Sequence, residues 1–212
     1  MLLNTLVFRL LENWVVLAAN KGRVGVDVMR QVDSRVDRLD EFFRLMKKQF
    51  TDAEWEAIRG EDRDSEAEQL ARFFRHWALK ESYVKAVGTG LNVDLRTLNF
   101  ILGSGQLEKG KVETRTKLIV EGEEVQWRFE ECLVDEHVVS VAVEADDEIQ
   151  EMETFKVLSI HDVFKLFNHR TDNTTTSENC NTLASDRACP LLRPLDQADF
   201  ALFSTKAHPK PF

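Results

Sequence analysis

Between Ser65 and Gly88 the sequence has both ends of a long helix written into it, and this segment constrains the fold more than any other. Ser65 followed three residues later by Glu68 is a capping box, in which hydroxyl and carboxylate each accept a backbone N–H that a first helical turn leaves without a partner. Gly88 and Gly90 end the segment, because glycine takes a left-handed cap conformation without a Cβ clash. The helix is therefore predicted over roughly Glu66 to Val87. Leu70, Phe73, Phe74, Trp77, Val84 and Gly88 recur at spacings of three and four, the stripe that such a helix buries. Between Trp77 and Val84 that stripe passes through Glu81. A carboxylate in an apolar stripe needs a partner, since burying an unpaired charge is costly. Lys85, one turn further on, is one partner. A metal ion shared with a second carboxylate is the other.

The rest of the chain supplies strands and two shorter helices. Trp14–Ala19 reads as a buried strand and Asn20-Lys21-Gly22 as a turn. Val24, Val26 and Val28 then alternate with Gly25, Asp27 and Met29, a second strand whose pairing with the first predicts a hairpin. Asp27 leaves this strand on the face opposite the valines and offers the second carboxylate. From Val36 the pattern turns helical, with Phe42, Phe43, Leu45 and Met46 as its apolar stripe. Thr51 with Glu54 is a further capping box, opening a short helix that carries Trp55 and Ile58. Leu98–Leu102, Thr114–Val120, Val125–Cys132 and Val138–Val143 read as strands, with a hairpin turn at Glu121-Gly122. The expected class is α+β, a small antiparallel sheet packed by the long helix.

Composition excludes some functions. A formal net charge of −9 and a pI of about 5.2 give no general attraction to phosphate backbones, so nucleic acid is not an expected partner. No apolar run approaches the roughly 20 residues that span a bilayer, so no membrane is expected either. Three cysteines without metal spacing and a start without a signal-peptide pattern suit the cytosol. Composition changes after Glu144. Residues 145–212 read as a tail, acidic to Glu153, amphipathic over Phe155–Phe167 and of disordered composition from Arg170. His76 reads as a solvated helix residue, His137 as a loop residue and Cys132 as core.

Two segments together carry a resemblance: Val24-Gly25-Val26-Asp27, and Trp77-Ala78-Leu79-Lys80-Glu81-Ser82-Tyr83-Val84-Lys85. They are similar to the coupled V-G-[IV]-D and W-x-x-K-E-[SA]-x-x-K motifs of the 4′-phosphopantetheinyl transferases. Glu41-Phe42-Phe43 through Phe50-Thr51, Glu54-Trp55-Glu56 and Glu121–Glu124 resemble the animal, lysine-pathway branch of that family. The resemblance covers about Trp14 to Val143. It implies the family's fold and a Mg²⁺-dependent transfer of phosphopantetheine from coenzyme A to a serine of an apo carrier protein, releasing 3′,5′-ADP. Asp27 and Glu81 would bind Mg²⁺. Lys85 and Lys80 would face the coenzyme A diphosphate. Glu81, directly or through a water on the ion, would take the serine proton. Met29 stands where bacterial members often have a second acid. The partners implied are acyl carrier domains of fatty-acid synthase and of the aminoadipate-semialdehyde dehydrogenase type.

Family members of the larger class are monomers built from two similar halves, and residues 12–144 correspond to the second. The first half, with basic residues for the nucleotide, has no counterpart in this sequence. Val7, Phe8, Arg9 and Leu10 stand where the family's N-x-S-H segment should lie, so Met1–Leu11 reads as a divergent segment unrelated to the family. Two expectations stay open. One is a transferase, weakened by the missing nucleotide contacts, acting alone or as a dimer of halves. The other is a non-catalytic module that keeps the fold and the metal site.

Overall fold

The computed structural model describes residues 5–11, 14–31, 38–61, 63–88 and 93–145. The amphipathic segment 155–167 and the polar tail expected after it lie outside the described residues. In chain order the elements are β1 (Thr5–Leu11), β2 (Trp14–Asn20), β3 (Val24–Arg30), α1 (Leu39–Met46), α2 (Asp52–Arg59), α3 (Glu66–Val87), β4 (Leu98–Ile101), β5 (Val112–Glu113), β6 (Lys117–Val120), β7 (Glu123–Glu124), β8 (Trp127–Val134) and β9 (His137–Glu144). Single 3₁₀ turns follow α1 at Lys47–Gln49 and precede β4 at Leu95–Thr97. The class is α+β, as expected.

Helix α3 begins and ends where its caps are encoded. Glu68 Oε2 accepts the Ser65 N–H at 2.8 Å, Ser65 Oγ accepts the Glu68 N–H at 3.3 Å, and Gly88 takes the left-handed conformation with φ of 73°. Thr51 and Glu54 form the reciprocal pair at the start of α2. Glu121 and Gly122 both have positive φ, 53° and 88°, which matches the right-handed twist of the β6–β7 ribbon.

The expected hairpin between β2 and β3 does not form. Strand β2 pairs with β1 from Leu11↔Trp14 to Thr5↔Asn20, while β3 pairs with β9. Only two residues separate β1 from β2, a tighter connection than the one between β2 and β3. The register β3 chooses places Val24, Val26 and Val28 opposite Val143, Val141 and Val139. These valines form one layer with Ala18 and Cys132. Its four-stranded sheet runs β3-β9-β8-β5, and β4-β6-β7 form another sheet. The strand expected over Thr114–Val120 begins only at Lys117, with β5 ending just before its expected start. Glu113 Oε1 accepts the backbone N–H groups of Thr114 and Arg115, at 3.0 and 2.9 Å, and so breaks the ladder.

There are three apolar clusters, two of which pack against α3. The valine layer lies on the far face of β3 and β9. An aromatic cluster of Phe43, Phe50, Trp55, Phe73 and Phe74 fills the N-terminal half, and Leu79, Ala86, Phe100, Leu118 and Phe129 fill the other. Because α3 is packed on several sides, residues off its predicted stripe are also buried. Arg75 is one. It makes a bidentate pair with Glu131, at 2.7 and 2.9 Å, and Glu131 also accepts from Thr116.

His76 corrects the expectation of a solvated residue, being wholly buried beside Phe50 with Nδ1 2.8 Å from Arg72 O. His137 likewise belongs to β9, is buried, and lies 6.3 Å ring to ring from Trp14. Burial pushes the His76 imidazole from 6.5 down to about 4. With the folded value below the unfolded one, the unfolded chain takes up the proton first. The stability His76 contributes in its neutral form is therefore complete above pH 6.5 and is lost as pH falls towards 4. The difference in urea-unfolding free energy between the natural chain and His76→Leu should decline across that window and be flat above it. A difference independent of pH would show that His76 is not held neutral.

Candidate active site

The site is built where β3 meets α3, and Gly25 decides how closely they meet. A Cβ at Gly25 would stand 2.0 Å from Ser82 O and 2.5 Å from Ala86 N, both backbone atoms of α3. Ala78, Ser82 and Ala86 are small, buried and spaced by four, so the helix presents a smooth face to the strand. Across the sheet, Ser140 Oγ of β9 lies 3.2 Å from Ser82 Oγ. Asp27, two residues beyond Gly25 on the same strand face, thereby reaches the helix side that carries Glu81 and Lys85.

Asp27 is 1% exposed. Its Oδ1 accepts from Lys85 Nζ at 2.5 Å and lies 3.3 Å from Arg9 Nε, whereas its Oδ2 is buried without a hydrogen-bond partner among the described residues. Lys85 Nζ also donates to Val26 O at 3.1 Å. Among the described residues no ion pair joins Glu81 to Lys85, so the simple one-turn pair does not account for Glu81. Burial raises the Asp27 carboxyl above its usual range, more than Lys85 and Arg9 lower it. Glu81 is also raised, first by burial and then by the Asp27 carboxylate itself. Two carboxylates thus act on one another, and one of them has an unused oxygen. All donors are hard oxygens, which suits a small divalent cation. No group of three or more Asp, Glu, His or Cys side chains is gathered among the described residues. A Mg²⁺ that keeps several waters and takes phosphate oxygens needs only one or two carboxylates.

Lys80 is not brought to this place. Its side chain is fully buried, its Nζ lies 2.7 Å from Glu54 Oε2, and it donates to Leu95 O and Leu98 O at 2.6 and 2.7 Å. Its ammonium is thus turned to Glu54 and two carbonyls rather than to the carboxylates Asp27 and Glu81. Arg9 is the converse case: the sequence placed it in a divergent segment, and the fold places it on Asp27.

A pocket of about 200 Å³ opens beside Glu81, lined by Lys48, Gln49, Val84, Val93, Asp94 and Leu95. A larger one of about 370 Å³ lies between α2 and β4 and includes neither carboxylate. The chain spans about half the length of the curated relatives it matches. L-aminoadipate-semialdehyde dehydrogenase-phosphopantetheinyl transferase of Xenopus laevis is 42% identical over 140 residues, 65% of this chain and 46% of the relative. The Homo sapiens protein of the same name is 43% identical over 138 residues, 64% and 44% of the two chains. A phosphopantetheinyl transferase of Thraustochytrium is 38% identical over 138 residues, 62% and 46% of the two chains. The family model of the 4′-phosphopantetheinyl transferase superfamily matches residues 23–142, which begin just before Asp27 and end within β9. With that match across the sheet, the long helix and both carboxylates, the chain belongs to the 4′-phosphopantetheinyl transferase superfamily.

Proposed function

We propose that this chain carries the reacting half of a phosphopantetheinyl transferase acting between coenzyme A and a carrier-protein serine. The observation that carries the reading is the buried, unpartnered Asp27 Oδ2 beside a second carboxylate whose acidity Asp27 itself weakens. Asp27 and Glu81 would hold Mg²⁺, and Lys85 would face the diphosphate. The ion, when bound, offsets the charge of that diphosphate. Glu81, raised above the usual carboxylate range by burial and by Asp27, accepts the proton of the serine hydroxyl. The serine oxygen bonds to the β-phosphorus, and the bond from that phosphorus to the leaving 3′,5′-ADP oxygen breaks. Lys85 offsets charge gathering on the leaving group.

The pocket beside Glu81 is smaller than the roughly 300–1,000 Å³ of sites that enclose a small ligand. It suits the reacting end of the substrate rather than the whole nucleotide. The carrier follows from the relatives' names, which point to a dehydrogenase of the L-aminoadipate-semialdehyde type. No helix of the described residues is long and apolar enough to cross a membrane, and we place the reaction in the cytosol.

The test incubates the chain with an apo carrier protein, coenzyme A and Mg²⁺ and follows the carrier by intact mass. Gain of one phosphopantetheine arm supports transfer. Mg²⁺ binding without that gain would overturn transfer and leave the non-catalytic module as the reading.

A further inference from the structure

Arg9 is the one charged residue of β1, a strand otherwise made of apolar residues and one threonine. Strand β1 packs against β3 without pairing with it. Arg9 Nε thereby comes within 3.3 Å of Asp27 Oδ1, the same oxygen that Lys85 holds. The Arg9 side chain remains 45% exposed, whereas Asp27 is 1% exposed. Two cations thus converge on one carboxylate oxygen, and the other oxygen of that carboxylate has no hydrogen-bond partner among the described residues. Arg9 also draws the Glu81 carboxyl down towards its usual range, so its charge is felt at both carboxylates.

The charge count gives this arrangement a meaning. Asp27, Glu81, Lys85 and Arg9 sum to zero. A divalent ion added to them leaves the site with two positive charges, which a diphosphate would balance. A guanidinium is always charged and its planar fork matches phosphate oxygens. Lys85 is tied to a backbone carbonyl of β3 as well as to Asp27. Arg9, half in solvent, is the cation with room to change partner.

We propose that Arg9 is a positioning cation of this site, holding the Asp27 carboxylate before the divalent ion arrives and turning to the coenzyme A diphosphate once it has. The inference rests on the assignment of Asp27 and Glu81 as the ion's ligands. It requires Arg9 to act with opposite sign on two ligands: it opposes entry of the divalent ion and favours the diphosphate that follows. A residue needed only to seat β1 would weaken both.

The experiment uses the full chain and two titrations that need no turnover. Mn²⁺ binding without nucleotide is read from the resonance of the free ion. Coenzyme A binding at saturating Mg²⁺ is read by calorimetry. Arg9→Gln should bind Mn²⁺ about three- to tenfold more tightly and coenzyme A about three- to tenfold more weakly, the size of a partly exposed charge interaction. Arg9→Lys should restore both most of the way. Arg115→Gln, which removes a surface partner of Glu113, should change neither. Arg9→Gln that leaves either titration within twofold of the natural chain, or weakens both, overturns the inference. Mn²⁺ binding that survives intact in Asp27→Asn overturns the ligand assignment instead, so the two failures are distinguishable.

Discussion

Glu81→Gln is expected to lower phosphopantetheine transfer on the order of a thousandfold while leaving the chain folded. The amide keeps the shape of the side chain but can neither take a proton from serine nor contribute a charge to a cation. Loss of the base falls on the reacting atoms and should appear in turnover, while the weaker hold on the ion should appear as a higher Mg²⁺ requirement. Stability should move the other way. Asp27 raises Glu81, and both are pushed up by burial, so the ionised pair works against the fold when no cation is present. Removing one of the two charges should add about 0.5–1 kcal/mol in metal-free buffer, a value discounted for the partial exposure of Glu81. The folded value of Glu81 lies above its unfolded one, which fixes the sign with pH. The gain is present where natural Glu81 is ionised in the fold and disappears as pH falls through its raised value. Transfer assays and metal-free urea melts on the same preparations measure both effects. A variant that transfers at the natural rate would remove Glu81 from the chemistry. One that melts well below the natural chain would make it a structural residue.

What the sequence shows and what it hides divide along local and non-local lines. The limits of α3 are legible because Ser65, Glu68 and Gly88 encode them within a turn of where they act. The Glu81 anomaly is legible because a carboxylate interrupts a periodic stripe. The partner of β3 is not legible in this way. β9 lies more than a hundred residues on, and a valine ladder identifies it only after the chain has folded. The single-stripe reading of α3 also failed for a definite reason. It assumed one buried face, whereas Ala78, Ser82 and Ala86 make a second that lets β3 approach closely. Arg75 and His76, which one stripe would leave in solvent, are enclosed from still other sides, Arg75 by Glu131 of β8 and His76 beside Phe50. Arg9 carried a signal that was available, a lone charge in an apolar strand, but its meaning depended on β1 lying beside β3.

Lys80→Met should cost about 3–5 kcal/mol of stability, the loss expected when one member of a buried ion pair is removed and the other is left behind. Lys80 joins three parts of the fold. Its ammonium lies against Glu54 of α2, donates to the carbonyls of Leu95 and Leu98 at the start of β4, and sits 5.1 Å over the Phe50 ring. Glu54 is itself committed: its Oε2 accepts the Thr51 N–H that caps α2, and its Oε1 accepts the Phe100 N–H of β4. Burial pushes Glu54 up and Lys80 down, so each is poised to lose its charge if the other is taken away. Lys80→Met would therefore leave a carboxyl that must protonate or stay uncompensated, and two carbonyls without donors. Glu54→Gln in the same chain should recover part of the loss, because the remaining amide needs no counter-charge. The nucleotide should not register the change. With the ammonium enclosed, the KM for coenzyme A, measured well below the melting transition, should stay within about threefold of the natural value, less than one lost charge-assisted contact would cost. The opposite pattern, natural stability with a large rise in that KM, would mean that Lys80 leaves Glu54 to meet the diphosphate. Urea unfolding of the two single variants and the double variant, beside coenzyme A saturation curves, separates the outcomes.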